Sequence, residues 1–429
     1  MKEGNKVSVA GDYLARLEQK VEALKILTEV SPVISSTLDL KELMTIVMEK
    51  AKDIMEAEAC SILLYNKDTK KLEFEVAISK EKNASDILKE KIILDLGQGI
   101  AGWVAQNREL LFIKDVRKDK RFYHGADKKT GFTTRSLIAA PLIGRRGLIG
   151  VAEIINPNKE DYDLEILKIL TKHFAIAIEN ALYHKDALEK ERLKQELEIA
   201  ATLQKSFLPE SPRYKKGNVM VSAVNIPAKQ VGGDLYDFAE LSGGKLGIFI
   251  GDVSGKGVSA ALYMAKIMSD FRYIAHTEDS PEIVMDRLNS LLSKTPRGMF
   301  LTAIYMIMDT KNGEAVISVA GHPPFLWITQ KGVKVSSLVS GPPLGIISED
   351  YSSGTISLSK GDRLLLITDG VFEAKNKTGQ RIGFAGLVRF VKKHKNDKGL
   401  VKKITEYINT FSRGTEKADD MTIVEVKYL

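Results

Sequence analysis

Apolar residues recur at helical spacing at both ends of the first half of the chain. Leu14, Leu17, Val21 and Leu24 fall on one stripe and predict an N-terminal helix within residues 1–28. Asp39 stands where it can cap a second helix, which carries Leu43, Ile46 and Val47 and runs to Ile54. The period then changes from helical to alternating: Ser61 to Tyr65 and Leu72 to Ile78 read as strands. A last amphipathic helix of this region is expected to end near Tyr183. From Tyr183 to Phe207 the chain is charged and free of Gly and Pro, with Leu193, Leu197, Ala200, Gln204 and Phe207 in a 4-3-4-3 rhythm. That rhythm predicts a coiled-coil seam, or else one amphipathic helix packed on a neighbouring domain. Pro209 ends it and Pro212 marks a boundary.

Beyond Pro212 the pattern becomes apolar strands that each lead into or out of an acid. Val219 to Asn225 passes through a turn into Gly232-Gly233-Asp234-Leu235-Tyr236-Asp237. Leu246 to Ile250 runs into Gly251-Asp252-Val253-Ser254-Gly255-Lys256-Gly257. Leu364 to Ile367 runs into Thr368-Asp369-Gly370, and Asp419-Asp420-Met421-Thr422 opens the strand Ile423 to Val426. A carboxylate at the end of a buried strand is costly unless a positive charge compensates it. Lys256 is the only basic residue interleaved among these motifs. If the acids converge, a pair of divalent cations is the natural partner, and hard ions such as Mg²⁺ or Mn²⁺ prefer such oxygen ligands. Two ions about 3.5–4 Å apart suit phosphate-ester hydrolysis, because they can share a water and lower its pKa.

Composition narrows the picture. At 429 residues, 44% hydrophobic and 28% charged, the chain is too long for one core and too apolar to be disordered, so an α+β multidomain protein is expected. No apolar run is long enough for a bilayer and no cleavable leader is visible, giving the expectation of a cytoplasmic protein without a membrane partner. The net charge of +7 comes from 63 basic and 56 acidic residues spread along the chain, with a cluster near Lys392 to Lys403. No recognition motif accompanies it, so nucleic acid is not an expected partner. The single cysteine, Cys60, excludes an internal disulfide and a cysteine zinc site. It cannot be a phosphatase nucleophile of the cysteine type either, since Asn66 stands where a phosphate-binding arginine would be needed, and it reads as a core hydrophobe.

Two resemblances rest on these motifs. Gly97-Gln98-Gly99-Ile100-Ala101-Gly102-Trp103, Ile113-Lys114-Asp115-Val116, Arg135 through Pro141-Leu142, and Gly147-Leu148-Ile149-Gly150-Val151 occur in an order that resembles a GAF domain over roughly residues 29–184. This implies a six-stranded antiparallel sheet with flanking helices that either binds a small ligand or only dimerises. Asn158-Lys159 is followed too soon by Glu160-Asp161-Tyr162, without the Phe found in cyclic-nucleotide-binding members, which argues against such a ligand.

The ordered set GGD, DVSGKG, AGHPP, GPPLG, TDG and DDMT resembles the PPM-type phosphatases, in their bacterial sporulation and stress-response branch, over about residues 200–429. The expected division is therefore an N-terminal helix (1–28), a GAF sensory domain (29–184), a linker helix (185–210) and an α-β-β-α phosphatase domain (211–429). The resemblance implies that Asp252 bridges two metals, that Asp234 and the Val253 carbonyl help hold one, and that Asp369 and Asp420 hold the other. It implies a phosphoserine or phosphothreonine on a regulatory protein of the anti-sigma-factor antagonist kind as substrate, and the seam implies a homodimer. Lys256 departs from the family's common His. His322 is a second candidate, as loop organiser or general acid.

Two other readings use the same residues. A GAF-linked diguanylate cyclase would need Glu-Phe after GGD, where Leu-Tyr-Asp stands, and leaves TDG and DDMT without a role. A ligand-sensing scaffold with little catalysis is opposed by the presence of all four acids. Gly255-Lys256-Gly257 is not a P-loop, because Ser or Thr should follow the Lys.

Overall fold

The computed structural model describes residue 21 and residues 39–79, 92–158, 164–293 and 298–429. The N-terminal stripe residues Leu14, Leu17 and Leu24, and the Lys159 to Tyr162 segment, lie outside the described residues. The chain separates into two compact units, Met1–Arg192 and Leu193–Leu429.

In the first unit, helix α1 (Leu40–Ile54) is capped as its sequence requires, with the Asp39 carboxylate accepting from the Glu42 backbone N–H at 2.8 Å. Strands β1 (Ala59–Asn66), β2 (Lys71–Ile78), β3 (Ile93–Asp95), β4 (Leu111–Ile113), β5 (Leu137–Gly144) and β6 (Gly147–Ile155) form one antiparallel sheet ordered β3-β2-β1-β6-β5-β4. Strand alternation sends Cys60, Ile62, Ile138, Ala152 and Ile154 toward α1 and the start of a long helix, where they meet Leu43, Met44, Phe174 and Ile178. The opposite face, with Leu63, Leu137, Ala139 and Val151, packs under helix α2 (Gly99–Asn107). Helix α3 (Gly125–Thr130) follows on the loop side. Cys60 is buried, donates to the Met48 carbonyl, and burial pushes its thiol up to about 12, so it is an inert core group.

Helix α4 (Leu164–Phe207) shows no break at Tyr183. The end of the sensory region and the linker are one continuous helix, because nothing between them stops it: no Gly or Pro intervenes. The boundary between compact units falls within α4, at Arg192/Leu193.

The second unit holds two antiparallel sheets. One is ordered β15-β12-β11-β10-β9, from β9 (Leu235–Glu240), β10 (Lys245–Val253), β11 (Leu301–Asp309), β12 (Glu314–Ala320) and β15 (Ser353–Ser357). The other is ordered β14-β13-β16-β17-β8-β7, from β7 (Arg213–Lys216), β8 (Val219–Ile226), β13 (Leu326–Thr329), β14 (Gly332–Val335), β16 (Arg363–Ile367) and β17 (Met421–Tyr428). Ile248, Ile250, Met306 and Ile317 of the first meet Val221, Leu364, Leu366 and Val424 of the second. The outer face of the five-stranded sheet is covered by α5 (Val258–Ala275) and α6 (Pro281–Leu292), through Met264, Ile267, Phe271 and Leu288. After the short helix α7 (Gly370–Glu373), helices α8 (Phe384–Lys393) and α9 (Leu400–Phe411) cover the other sheet through Leu387, Val391, Ile404 and Ile408. The result is an α-β-β-α sandwich, and the α+β reading of the chain holds for both units. Among the described residues no helix is long and apolar enough to cross a membrane.

Candidate metal centre

The two sheets each deliver acids to one end of the sandwich. Asp234 immediately precedes β9 and Asp252 is the penultimate residue of β10; Asp369 stands between β16 and α7, while Asp419 and Asp420 immediately precede β17. Antiparallel pairing of β10 with β9 aligns Gly251 with Leu235, which sets Asp252 and Asp234 side by side at the sheet end.

Asp234 is only 4% exposed. Its Oδ2 accepts hydroxyl hydrogen bonds from Thr368 and Thr422, each at 2.7 Å, whereas Oδ1 is buried with no partner. Thr368 and Thr422 belong to the other sheet, so this carboxylate ties the sheets together. Asn225 extends the network, donating to the Thr422 hydroxyl at 2.9 Å. Burial pushes the Asp234 carboxyl well above the usual range, and the charge of Asp252 adds to this. Burial, then the charges of Asp369 and Asp419, push Asp252 up to about 7. Asp369 is raised by burial and by Asp419. Each acid is thus held in the field of the others.

Asp420, which the sequence reading placed among the ligands, has both carboxylate oxygens engaged by backbone N–H groups. Oδ1 accepts from Ala228 at 2.7 Å and Oδ2 from Gly233 at 2.6 Å. It holds the loop bearing Gly232-Gly233-Asp234 in place. A Cβ on Gly232 would lie 2.5 Å from Asp420 Oδ2, so only glycine permits this approach. The acid whose charge acts on both Asp252 and Asp369 is Asp419, which the sequence reading passed over. The doublet Asp419-Asp420 contained the signal, but spacing alone does not say which of two adjacent carboxylates binds backbone and which pairs with Lys256.

Among the described residues no three His, Cys, Asp or Glu side chains already stand close enough to hold an ion. Burial first, and then the neighbouring carboxylate charges, raise Asp234, Asp252 and Asp369, while Lys256 acts in the opposite sense on Asp369. The donor set is nevertheless of the right kind: hard carboxylate oxygens, one of them buried without a partner, and a Val253 carbonyl packed against Gly233.

Residues 242–429 match the family described as Stage II sporulation protein E (SpoIIE), and residues 37–179 match the GAF domain family. The chain joins a GAF domain to a SpoIIE-family domain. The phosphoserine phosphatase RsbU of Bacillus subtilis (strain 168) is 32% identical over 193 residues, which is 44% of this chain and 57% of RsbU. The phosphoserine phosphatase RsbP of the same organism is 32% identical over 186 residues, 42% of this chain and 46% of RsbP. The chain thus spans about half the length of the curated relatives it matches. The solved SiaA-PP2C domain of Pseudomonas aeruginosa shares the sandwich fold, with a TM-score of 0.50 and 17% identity over 57% of this chain and 100% of that one.

Two further polar groups of the SpoIIE-family domain were singled out by sequence. Lys256 forms an ion pair with Asp419 at 2.8 Å and also donates to the Ala418 carbonyl. Its own pKa is raised, first by the hydrogen bond to Asp419. His322 is 5% exposed, with Nδ1 2.9 Å from the Thr302 hydroxyl and Nε2 buried without a partner. Burial lowers its pKa to about 4, so it is neutral at pH 7. A neutral imidazole bonded to a strand hydroxyl fits the loop-organising role.

Gln204 gains a role that the heptad reading did not give it. In the last turn of α4 its side chain donates to the Gly232 carbonyl at 2.6 Å and accepts from the Gly232 N–H at 3.1 Å. Arg272 binds the Phe207 carbonyl at 2.6 Å and Asp237 at 2.6 Å, which anchors the helix end to α5 and β9. The lower seam residues are therefore engaged within their own unit, whereas Leu193 is 57% exposed.

Proposed function

We propose that the chain is a metal-dependent protein serine/threonine phosphatase governed by its GAF domain. The observation that carries this is that Asp234, Asp252, Asp369 and Asp419, borne at one end of two different sheets, lie within one another's electrostatic field, with Asp234 Oδ1 buried and without a hydrogen-bond donor. In this reading Asp252, Asp234, the Val253 carbonyl, Asp369 and Asp419 hold two Mn²⁺ or Mg²⁺ ions, and Asp420 positions the Gly233 backbone. When bound, such ions supply Lewis acidity toward phosphoryl oxygens and an activated water. The protein's own contribution is to hold the carboxylates ionised and oriented: Thr368 and Thr422 fix Asp234, and Asp420 fixes the loop that bears it. Lys256, at the rim, is free to exchange Asp419 for a substrate phosphate.

The substrate in this proposal is a phosphoserine or phosphothreonine on a regulatory protein of the anti-sigma-factor antagonist kind; the names of the relatives, both phosphoserine phosphatases, support the phosphoserine part. Purified protein should hydrolyse p-nitrophenyl phosphate with added Mn²⁺ and lose this activity in EDTA, and should turn over phosphoserine proteins far faster than free nucleotides or sugar phosphates. Preference for the small phosphates would exclude the protein-phosphatase reading. Absence of any metal-dependent turnover would leave the scaffold reading.

The proposal extends to regulation. We infer a cytoplasmic homodimer formed through α4, on which Leu188, Ile199 and Leu203 lie along one face, each more than half exposed. Bending or rotation of α4 would reach the catalytic loop through Gln204 and Gly232.

Metal binding should also depend on pH in a definite sense. In the metal-free protein the Asp252 carboxyl is raised from 3.8 to about 7, so its favourable contribution to folding is present below about pH 4 and is lost as pH rises through about 7. At pH 8 the ionised acids repel one another and a cation relieves that repulsion. The rise in unfolding temperature on adding Mn²⁺ should therefore be larger at pH 8 than at pH 5, measured by calorimetry. An equal rise at both would place metal binding elsewhere.

A further inference from the structure

Two motifs of the SpoIIE-family domain, Ala320-Gly321-His322-Pro323-Pro324 and Gly341-Pro342-Pro343-Leu344-Gly345, carry no acid, yet the fold brings both against the first residues of β11. Strand β12 ends at Ala320, and Gly321 turns the chain at a φ of 62°, where a Cβ would stand 2.5 Å from Pro343. Pro323 and Pro324 then offer no backbone N–H with which a strand could continue. The Gly321 N–H donates to the Gly341 carbonyl at 2.8 Å, which ties the motifs together, and reciprocal bonds of 3.0 and 2.8 Å join Leu301 to Leu344. The residue next to this tie is Thr302.

Thr302 is the cross-strand partner of Asp252. Directly paired residues of an antiparallel sheet project from the same face with Cβ atoms about 4.5–5.5 Å apart, so Asp234, Asp252 and Thr302 form a row across the sheet end. His322 closes the row. Its ring is 5% exposed, and its Nδ1 lies 2.9 Å from the Thr302 hydroxyl. The second sheet reaches the ring as well: burial lowers its pKa, and the backbone of Ile367, the residue that leads into Thr368 and Asp369, acts against that lowering. Nε2 is buried with no hydrogen-bond partner among the described residues. A buried nitrogen in that state costs stability that an apolar ring would not, so packing alone does not account for a histidine here.

We propose that His322 is a positioning residue of the metal centre: it holds the Thr302 hydroxyl, and through Thr302 it fixes the end of β10 and the direction in which Asp252 presents its carboxylate. In this arrangement the Thr302 hydroxyl donates to Nδ1 and the ring's own proton stays on Nε2. The role rests on reading Asp252 as a metal ligand, and adds the groups that stand behind that ligand. It also gives the two acid-free motifs a common purpose, since they clamp the chain on either side of Thr302.

Titration calorimetry of Mn²⁺ into the full chain, with thermal unfolding of the metal-free protein beside it, tests this. Thr302→Val keeps the branched shape without the hydroxyl, and His322→Phe keeps a ring without nitrogen. Each should weaken Mn²⁺ binding about tenfold, as expected when a group that orients a metal ligand is lost. The double variant should bind no more weakly than either single one, because both changes remove the same hydrogen bond. His322→Asn, whose side-chain oxygen can accept in place of Nδ1, should regain most of the affinity. KM for p-nitrophenyl phosphate at saturating Mn²⁺ should stay that of the parent, since neither residue touches substrate. A packing role alone would lower the unfolding temperature and leave the affinity of the folded protein untouched. Parental Mn²⁺ affinity in folded His322→Phe, or in Thr302→Val at its partly exposed position, would overturn the role, as would losses that add in the double variant. A parent chain that binds no Mn²⁺ would overturn the metal centre as well, so the two failures are told apart by the parent's own titration.

Discussion

Asp252→Asn is expected to lower Mn²⁺-dependent hydrolysis by at least about two orders of magnitude, close to 2.7 kcal/mol of barrier at about 1.36 kcal/mol per tenfold. Asp252 is the acid on which the others converge: its carboxyl feels Asp369 and Asp419 from the six-stranded sheet and lies beside Asp234 on its own. Asparagine keeps the shape and removes the charge, so in the proposed centre a cation loses the ligand that feels both Asp234 and the acids of the other sheet. The same change removes repulsion from the metal-free protein, and its unfolding temperature without metal should not fall. This pairing of lost activity with retained stability separates a ligand role from a structural one. Near-normal turnover by folded Asp252→Asn would sink the metal-centre assignment.

Gln204→Ala is expected to lower activity about tenfold, because two hydrogen bonds worth about 1 kcal/mol each fix Gly232 and hence the loop that carries Asp234. The helix itself should survive, since alanine is a better helix former than glutamine. A companion change acts from farther away. Four residues inserted after Glu196 displace the N-terminal part of α4 by about 6 Å and turn it about 40° beyond a full turn relative to its C-terminal part. The Gln204 contacts remain possible in that variant, so a change in regulation with little change in basal turnover would locate the coupling in the phase of the helix. If both variants behave as the parent does, or if light scattering at micromolar concentration finds a monomer, α4 is only a spacer.

Much of this organisation comes from local rules. The cap at Asp39, the alternation in β1 and β2, and the apolar strands ending in Asp252 and before Asp369 needed only side-chain period and turn chemistry, which act over a few residues. The absence of Gly and Pro between Tyr183 and Phe207 likewise implied a helix, although the amphipathic pattern concealed that it continues without a break from Leu164. The sequence alone thus determined the two-part α+β architecture and which strands carry acids at their ends. What it could not determine were choices between neighbours that depend on contacts far apart in the chain. Asp419 and Asp420 are adjacent, yet Asp420 binds the backbone of Ala228 and Gly233, and Asp419 pairs with Lys256 while its charge reaches Asp252 and Asp369. Gln204 reads as a seam residue by spacing, but its partner is Gly232, 28 positions away. Glu153 shows no motif at all. Only the pairing of β1 with β6 brings it within 2.8 Å of the Ser61 hydroxyl, because cross-strand neighbours are properties of the packed sheet and not of any segment of chain.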